Sequence, residues 1–340
     1  MSAAFKVKNN KPILIIGQGL AGTILAHTAL QAGFEVEIWD SPTTHFTSSW
    51  AAGGIFNPVT GRKLEATWLA EEIFTFLFPF YEGLEKTLGV QFFYPRPLFR
   101  PFAHAEMKRW LLDRKSQIDH DFLRWTDEGV WVSKTGWVDV ATLLSASSNF
   151  FAEKKILKNR LFAESELSEI MVLFDRIVCC EGFHGQQNSL WKGFGFLPAK
   201  GELLRFKSNQ PSEDYILNKN GFVLPLGNQE FKVGATYRWD EYGPDSIPEA
   251  QAELKQKLAN FQIEDYEELE KLVGVRPATQ DRRPLVGMHP QVNVGIFNGF
   301  GSKGVSLMPY FADAWVGEWL GKKMVHSEAS IRRFSHLFSV

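Results

Sequence analysis

Gly17, Gly19 and Gly22 stand at G-x-G-x-x-G spacing directly after the apolar run Ile13–Ile16, and Asp40 closes the next apolar run, Val36–Trp39. Each of these residues has a mechanical job in dinucleotide binding. Gly17 permits a tight turn, Gly19 lets the backbone approach a pyrophosphate, and Gly22 lets helix and strand pack closely. Free N–H groups at the start of the helix, near Leu20 and Ala21, face the negative phosphates. Asp40 accepts hydrogen bonds from ribose hydroxyls. Gln18, within the turn, and Ser41, beside the acid, complete this candidate set. The motif by itself suits FAD and NAD equally.

The elements needed to position these residues follow from the pattern around them. Lys11–Asp40 reads as strand, glycine turn, helix, turn, strand. A polar loop rich in Ser, Thr and Gly comes next, and then a long helix over Ala66–Leu88 with an aromatic face. Gln91–Phe102 is an aromatic strand broken by prolines, which suits a sheet edge. Ala103–Arg114 is helical, Trp125–Trp137 alternates in short strands, and Val138–Phe151 is a helix with Asp139 near its start. Arg176–Cys180 is a buried strand ending at Glu181-Gly182. Gly201–Phe206, Tyr215–Leu217, Phe222–Leu226 and Phe231–Tyr237 alternate as antiparallel strands. Pro248–Asn260 and Glu264–Val273 read as helices. Val292–Phe297 is a strand leading into GFGSKG and a helix over about Val305–Leu320. Nucleotide-type βα units at both ends with antiparallel strands between them imply a substrate domain inserted into a discontinuous cofactor domain.

Composition narrows the field. The chain has 340 residues, enough for two domains. A formal charge of −2 gives no net field favouring nucleic acid or an anionic membrane. No apolar run reaches the ~20 residues that span a bilayer, and MSAAFKVKNN has no signal-peptide core. The two cysteines, Cys179 and Cys180, are adjacent, which suits buried thiols in a reducing compartment. The expected location is the cytoplasm. No metal-ligand spacing is present.

Several segments together resemble the FAD-dependent D-amino-acid oxidase-like superfamily, which includes glycine oxidase, sarcosine oxidase-like enzymes and the oxidase domain of the bifunctional tRNA wobble-uridine-modifying enzyme. Ser48-Ser49-Trp50-Ala51-Ala52-Gly53-Gly54 resembles the small-residue segment under the flavin. Gly136-Trp137-Val138-Asp139 resembles the family's helix entry, and Leu197-Pro198-Ala199-Lys200-Gly201-Glu202-Leu203 its P-x-K-G strand. Gly274-Val275-Arg276-Pro277-Ala278-Thr279-Gln280-Asp281 through Gly287 resembles G-x-R-P-x-T-x-D-x-x-P-x-x-G. Gly299-Phe300-Gly301-Ser302-Lys303-Gly304 resembles the loop before the C-terminal helix.

The resemblance implies an α/β fold: an FAD-binding Rossmann-like (GR2-type) domain over 1–80, 137–205 and 270–340, and an inserted antiparallel-sheet α+β substrate domain over 81–136 and 206–269. It implies FAD rather than NAD, held non-covalently because no cysteine lies near the R-P segment. Of the loop residues quoted above, Ser48, Ser49, Ala51, Ala52, Gly53 and Gly54, and those from Gly299 to Gly304, join the cofactor set with Glu181, Gly182, Arg276 and Val305. A helix N-terminus near the flavin N1 and C2 carbonyl stabilises the negative charge of the reduced ring. Lys303 adds a positive charge to that end.

The implied activity is oxidation of the C–N bond of an amine or amino acid by hydride transfer to flavin N5, followed by hydrolysis of the imine. Oxygen or another acceptor takes the electrons, and neither nucleic acid nor membrane is an expected partner. Candidate catalytic residues are Arg276, as a carboxylate or flavin-edge contact, Tyr237, Lys303, and Lys232, which lies where sarcosine oxidase-like members place an oxygen-activating lysine. The family's carboxylate-binding arginine in the C-terminal loop is replaced here by Ser302 with Lys303 beside it. G-S-K-G is closer to the G-S-R-G of the tRNA-modifying relative, although the chain offers no counterpart of that enzyme's methyltransferase domain. The rival readings are an oxidase acting on a modified tRNA nucleoside, an NAD-dependent dehydrogenase, and a flavin-binding protein without amine oxidase activity.

Overall fold

A computed structural model describes residues 11–41, 47–118 and 120–338. Its first layer is a six-stranded sheet in the order Leu157–Asn159, Val36–Asp40, Ile13–Ile16, Arg176–Cys179, Val294–Asn298, Leu285–Met288. The first five strands run parallel and the last is antiparallel. Ile13–Ile16 is buried on both faces, as the continuous apolar run of a covered parallel strand requires. Helices Leu20–Gln31, Val140–Glu153 and Gly304–Trp319 pack on one face through Ile24, Leu143, Phe311 and Trp315. Ile170, Phe174, Trp191 and Phe194 cover the other face.

The second layer is an eight-stranded sheet in the order Glu267–Arg276, Ala199–Lys207, Glu230–Gly234, Phe222–Gly227, Ile216–Asn218, Leu98–Pro101, Gly129–Val132, Leu123–Trp125. All its pairings are antiparallel except that of Ile216–Asn218 with Leu98–Pro101. Helix Pro248–Asn260 buries Leu254 and Leu258 against Phe206, Phe231 and Val233 of this sheet. Its bounds are those expected from the sequence.

Three expectations need correction. Gln91–Phe102 is not one edge strand: Phe93–Pro95 lies at the edge of a three-stranded sheet, and Leu98–Pro101 lies inside the eight-stranded sheet between Ile216–Asn218 and Gly129–Val132. Glu264–Val273 is not helical: Glu267–Arg276 is an edge strand paired along Ala199–Lys207. Glu and Lys favour helix, but the ladder with Ala199–Lys207 overrides that preference, and charged side chains protect an exposed edge. Arg205 reaches Glu270 across the strands at 3.5 Å. The long helix begins at Ala70 rather than Ala66, because Leu69 at its N-terminal boundary has φ +53° and Glu65–Ala66 forms a short strand.

The borders expected at 205/206 and 269/270 cut through the paired strands Ala199–Lys207 and Glu267–Arg276. We propose that both strands belong whole to the second domain. Limited proteolysis that released a stable fragment split inside either strand would contradict this division.

Candidate functional site

A cavity of about 540 Å³ runs between the two layers. It begins at the carboxyl ends of the parallel strands, where open α/β sheets bind ligands. Gly17, with φ +97°, makes the turn after the first strand, and a Cβ there would stand 2.6 Å from the carbonyl oxygen of Cys180. A Cβ on Gly22 would overlap the carbonyl of Gly17, so helix and strand touch through backbone alone. Helix Leu20–Gln31 begins at Gly19 with no side-chain cap and no acidic residue in its first turn. Its N-terminus is therefore open to an anion, with one correction: the Leu20 N–H is not free but donates to Ser49 Oγ at 3.0 Å. That bond ties the 47–54 loop to the start of helix Leu20–Gln31.

Asp40 and Ser41 line the cavity beyond the helix start. Burial raises the Asp40 pKa, while hydrogen bonds from the backbone of Gln18 and Ser41 lower it. Sequence reasoning missed Arg160, Leu161 and Phe162 on the same wall. They follow strand Leu157–Asn159, which pairs with Val36–Asp40, and the Arg160 N–H donates to the Asp40 carbonyl at 3.0 Å. The Arg160 guanidinium lies 3.8 Å from the ring centroid of Trp39. Only the strand pairing reveals this neighbourhood.

The middle of the cavity is formed by Ser48, Ser49 and Ala51–Gly54 on one side and Glu181 and Gly182 on the other. Gly54 has φ +71°, and a Cβ there would overlap the carbonyl of Val138. Burial raises the pKa of Glu181, whose carboxylate accepts from Asn188 Nδ2 at 3.0 Å. Phe183 and His184 also line the wall.

At the far end, Gly301, Ser302, Gly304 and Val305 bring the start of helix Gly304–Trp319 to the cavity. Gly299 and Phe300 do not line it. Phe300 is buried against Phe297, with ring centroids 4.7 Å apart. Asn298, missed by the sequence reading, takes their place: its Nδ2 donates to the Gly182 carbonyl at 2.9 Å. Gln18 and Gly22 are likewise absent from the lining. The Gln18 side chain instead donates to the Leu144 carbonyl at 3.2 Å.

The four candidate catalytic residues separate. Arg276 and Tyr237 line the cavity; Lys303 and Lys232 do not. Lys303 Nζ donates to Thr67 Oγ1 at 3.1 Å, and burial, then Arg283 and Arg282, lower its pKa. This placement corrects the expectation that its ammonium faces the reacting end. Lys232 Nζ donates to the Ala52 carbonyl at 3.3 Å from behind the loop. Burial lowers its pKa, partly offset by Asp139 and Glu270.

Arg276 ends its strand with the guanidinium 4.4 Å from the centroid of the Tyr237 ring and 3.4 Å from the Thr236 carbonyl. It is largely buried, and burial lowers its pKa. No carboxylate among the described residues pairs with it. A Cβ on Gly201 would collide with the guanidinium, so that glycine makes its seat. Among the described residues, no cluster of His, Cys, Asp or Glu is arranged to hold a metal, and no helix is long and apolar enough to cross a membrane.

The glycine turn at the carboxyl ends of the parallel strands and the cavity between the two sheets have the layout of a dinucleotide-binding α/β protein. A family model described as FAD dependent oxidoreductase matches residues 12–318. The chain belongs to that family, and its cofactor is FAD. The residues present fit the group: a helix N-terminus with no acidic residue in its first turn for the diphosphate, Asp40 for the ribose, and a backbone cradle at Gly53, Gly54 and Gly301 for the ring.

Among curated proteins, the chain is 25% identical over 325 residues to the tRNA 5-methylaminomethyl-2-thiouridine biosynthesis bifunctional protein MnmC of Maricaulis maris. That match takes in 91% of this chain and 52% of the relative, so the chain spans about half the relative's length. A bifunctional ThiO/ThiG protein of Nostoc is 29% identical over 122 residues, 34% of this chain and 19% of that protein. Among solved structures, glycine oxidase from Geobacillus kaustophilus superposes with TM-score 0.77 at 17% identity, covering 94% of this chain and 98% of that one. Iminodiacetate oxidase from a Chelativorans species gives TM-score 0.73 at 19% identity, covering 92% and 96%. At such identities these structures establish the fold.

Proposed function

We propose that the protein oxidises the C–N bond of an amine that carries a carboxylate. FAD, when bound, supplies the acceptor for the hydride that leaves the carbon bearing nitrogen, and the imine left behind hydrolyses in water. The chain's own residues bind, orient and exclude water. One observation carries the reading: the Arg276 guanidinium, half-buried and without a carboxylate partner among the described residues, lies on the cavity wall. A buried cation left without a partner is costly, and a substrate carboxylate offers it a bidentate one. Tyr237 stacks on the guanidinium and holds its plane. Leu203 and Phe222 supply the apolar wall that keeps water from the reacting carbon.

The test is anaerobic loss of flavin absorbance on adding glycine, sarcosine, D-amino acids and proline-type imino acids. Some carboxylate-bearing amine should bleach the holoenzyme, and Arg276→Met should weaken its binding by roughly a hundredfold, the scale of a charge-assisted bond. Bleaching by amines without a carboxylate, unaffected by Arg276→Met, would refute the assignment. The resemblance to MnmC supports a second reading, oxidation of a modified tRNA nucleoside. In that case tRNA that carries the modified nucleoside, isolated from cells lacking this protein, should bleach the flavin while free amines do not.

A further inference from the structure

A second recess, of about 430 Å³, opens beside the FAD cavity. The two share Phe222, Ala235 and Tyr237 in their walls. Beyond the shared residues the recess continues to Asn218, Asn220 and Trp239, over Glu253 and Lys257.

Tyr237 and Trp239 are large aromatic side chains that stay 43% and 55% exposed. Their ring centroids are 6.2 Å apart and their planes 26° from parallel. Guanidinium, phenol and indole thus follow one another from Arg276 outward. The indole sits on a pinned loop. Lys200 and Arg238 exchange backbone hydrogen bonds at 2.9 and 3.0 Å. The Lys200 ammonium, on a residue only 1% exposed, bonds Glu241 and the Asp245 carbonyl. The Tyr242 hydroxyl donates to the Trp239 carbonyl at 2.6 Å. A loop backbone held this firmly has already lost part of the freedom that binding would otherwise cost.

The charges of the recess are already spent. Glu253 pairs with Arg238 at 3.0 Å and with Lys257 at 3.2 Å, and Lys257 also donates to the Asn220 carbonyl. No ionic partner is called for. What remains on offer is an aromatic face and the side-chain amides of Asn218 and Asn220.

We propose that this recess is a second substrate subsite, which receives a neutral planar ring carried by the substrate beyond its carboxylate and amine. The proposal rests on the reading of Arg276 as the carboxylate anchor. Such a ring could be an aryl group or a nucleobase, since both present a flat face to the indole and the nucleobase adds an edge for the amides.

Inert thioether acids, with sulfur in place of the amine nitrogen, test it on the holoenzyme. (Methylthio)acetate, (benzylthio)acetate and (uracil-5-ylmethylthio)acetate are titrated, and dissociation constants are read from the perturbed flavin absorbance. The two ring acids should bind roughly tenfold more tightly than the methyl acid, the scale of one aromatic stack, and the tighter of them names the source of the ring. Trp239→Ala should cut that advantage below about threefold, Trp239→Phe should keep most of it, and neither should alter binding of the methyl acid. Equal affinity for methyl and ring acids in the wild type, or an advantage that survives Trp239→Ala, overturns the subsite alone. If none of the three acids binds, the carboxylate role of Arg276 falls and the subsite with it.

Discussion

At Gly201 the missing side chain is what gives the Arg276 guanidinium its place. A methyl group there meets the flexible end of a side chain rather than backbone, so the fold can absorb Gly201→Ala by moving the guanidinium. Stability and FAD content should change little. The dissociation constant for a carboxylate ligand should rise roughly ten- to a hundredfold, the range of a lost charge-assisted hydrogen bond. Flavin-monitored titration decides, and unchanged affinity would show that the guanidinium does not serve the ligand. At this scale the sequence was legible wherever a residue type has a single mechanical use. Gly17 and Gly19 after the first strand, Asp40 and Arg276 all lie on the cavity. It failed where the direction of a side chain matters. Lys303 sits in the expected loop, yet its ammonium goes to Thr67. Asn298 and Arg160 escaped notice because strand pairing in space, not sequence spacing, makes them neighbours of the site.

Between elements, His27 couples helix Leu20–Gln31 to helix Val140–Glu153 through Nε2 and Ser147 Oγ, 2.9 Å apart. Phe150 and Phe151 pack on its ring. Burial lowers its pKa from 6.5 to about 4. The unfolded chain therefore takes up a proton at higher pH than the folded one. The stability His27 contributes is complete above about pH 6.5 and is lost as pH falls toward about 4. The most this can amount to is on the order of 3 kcal/mol. Urea unfolding of wild type and His27→Gln at pH 7 and pH 4.5 measures it: the wild type should lose more stability between the two pH values than the variant. Equal losses would show that His27 titrates alike in both states. Elements whose periodicity and packing agree, such as Pro248–Asn260, were legible to the residue. Glu267–Arg276 was not, because helix-favouring Glu and Lys conceal an edge strand whose structure comes from its partner across the sheet.

For the whole molecule, the decisive arrangement is that residues near each terminus and residues of the second sheet close on one cavity. Gly17 and Asp40 come from the start of the chain, Gly301 from the turn before its last long helix and Val305 from that helix, and Gly201 and Arg276 from paired strands of the eight-stranded sheet. The Gly274 position shows how tightly the layers meet there, since a Cβ on it would stand 2.9 Å from Ser48 Cα and 3.0 Å from Ala51 Cβ. A ligand that fills the whole cavity thus bears on both layers, whereas ADP reaches only the cradle at the first strand. Binding to the folded state alone stabilises it by about 2.7 kcal/mol at a hundred times the dissociation constant. At roughly 2–4 °C per kcal/mol for a domain of this order of size, FAD should raise the melting temperature by about 5–10 °C. ADP at the same concentration should give clearly less, because it lacks the ring that we propose lies between the 47–54 loop and the start of the C-terminal helix. Thermal unfolding followed by far-ultraviolet circular dichroism, with each ligand added to flavin-stripped protein, makes the comparison. Equal shifts from ADP and FAD would mean that the ring end of the cavity contributes nothing to holding the cofactor.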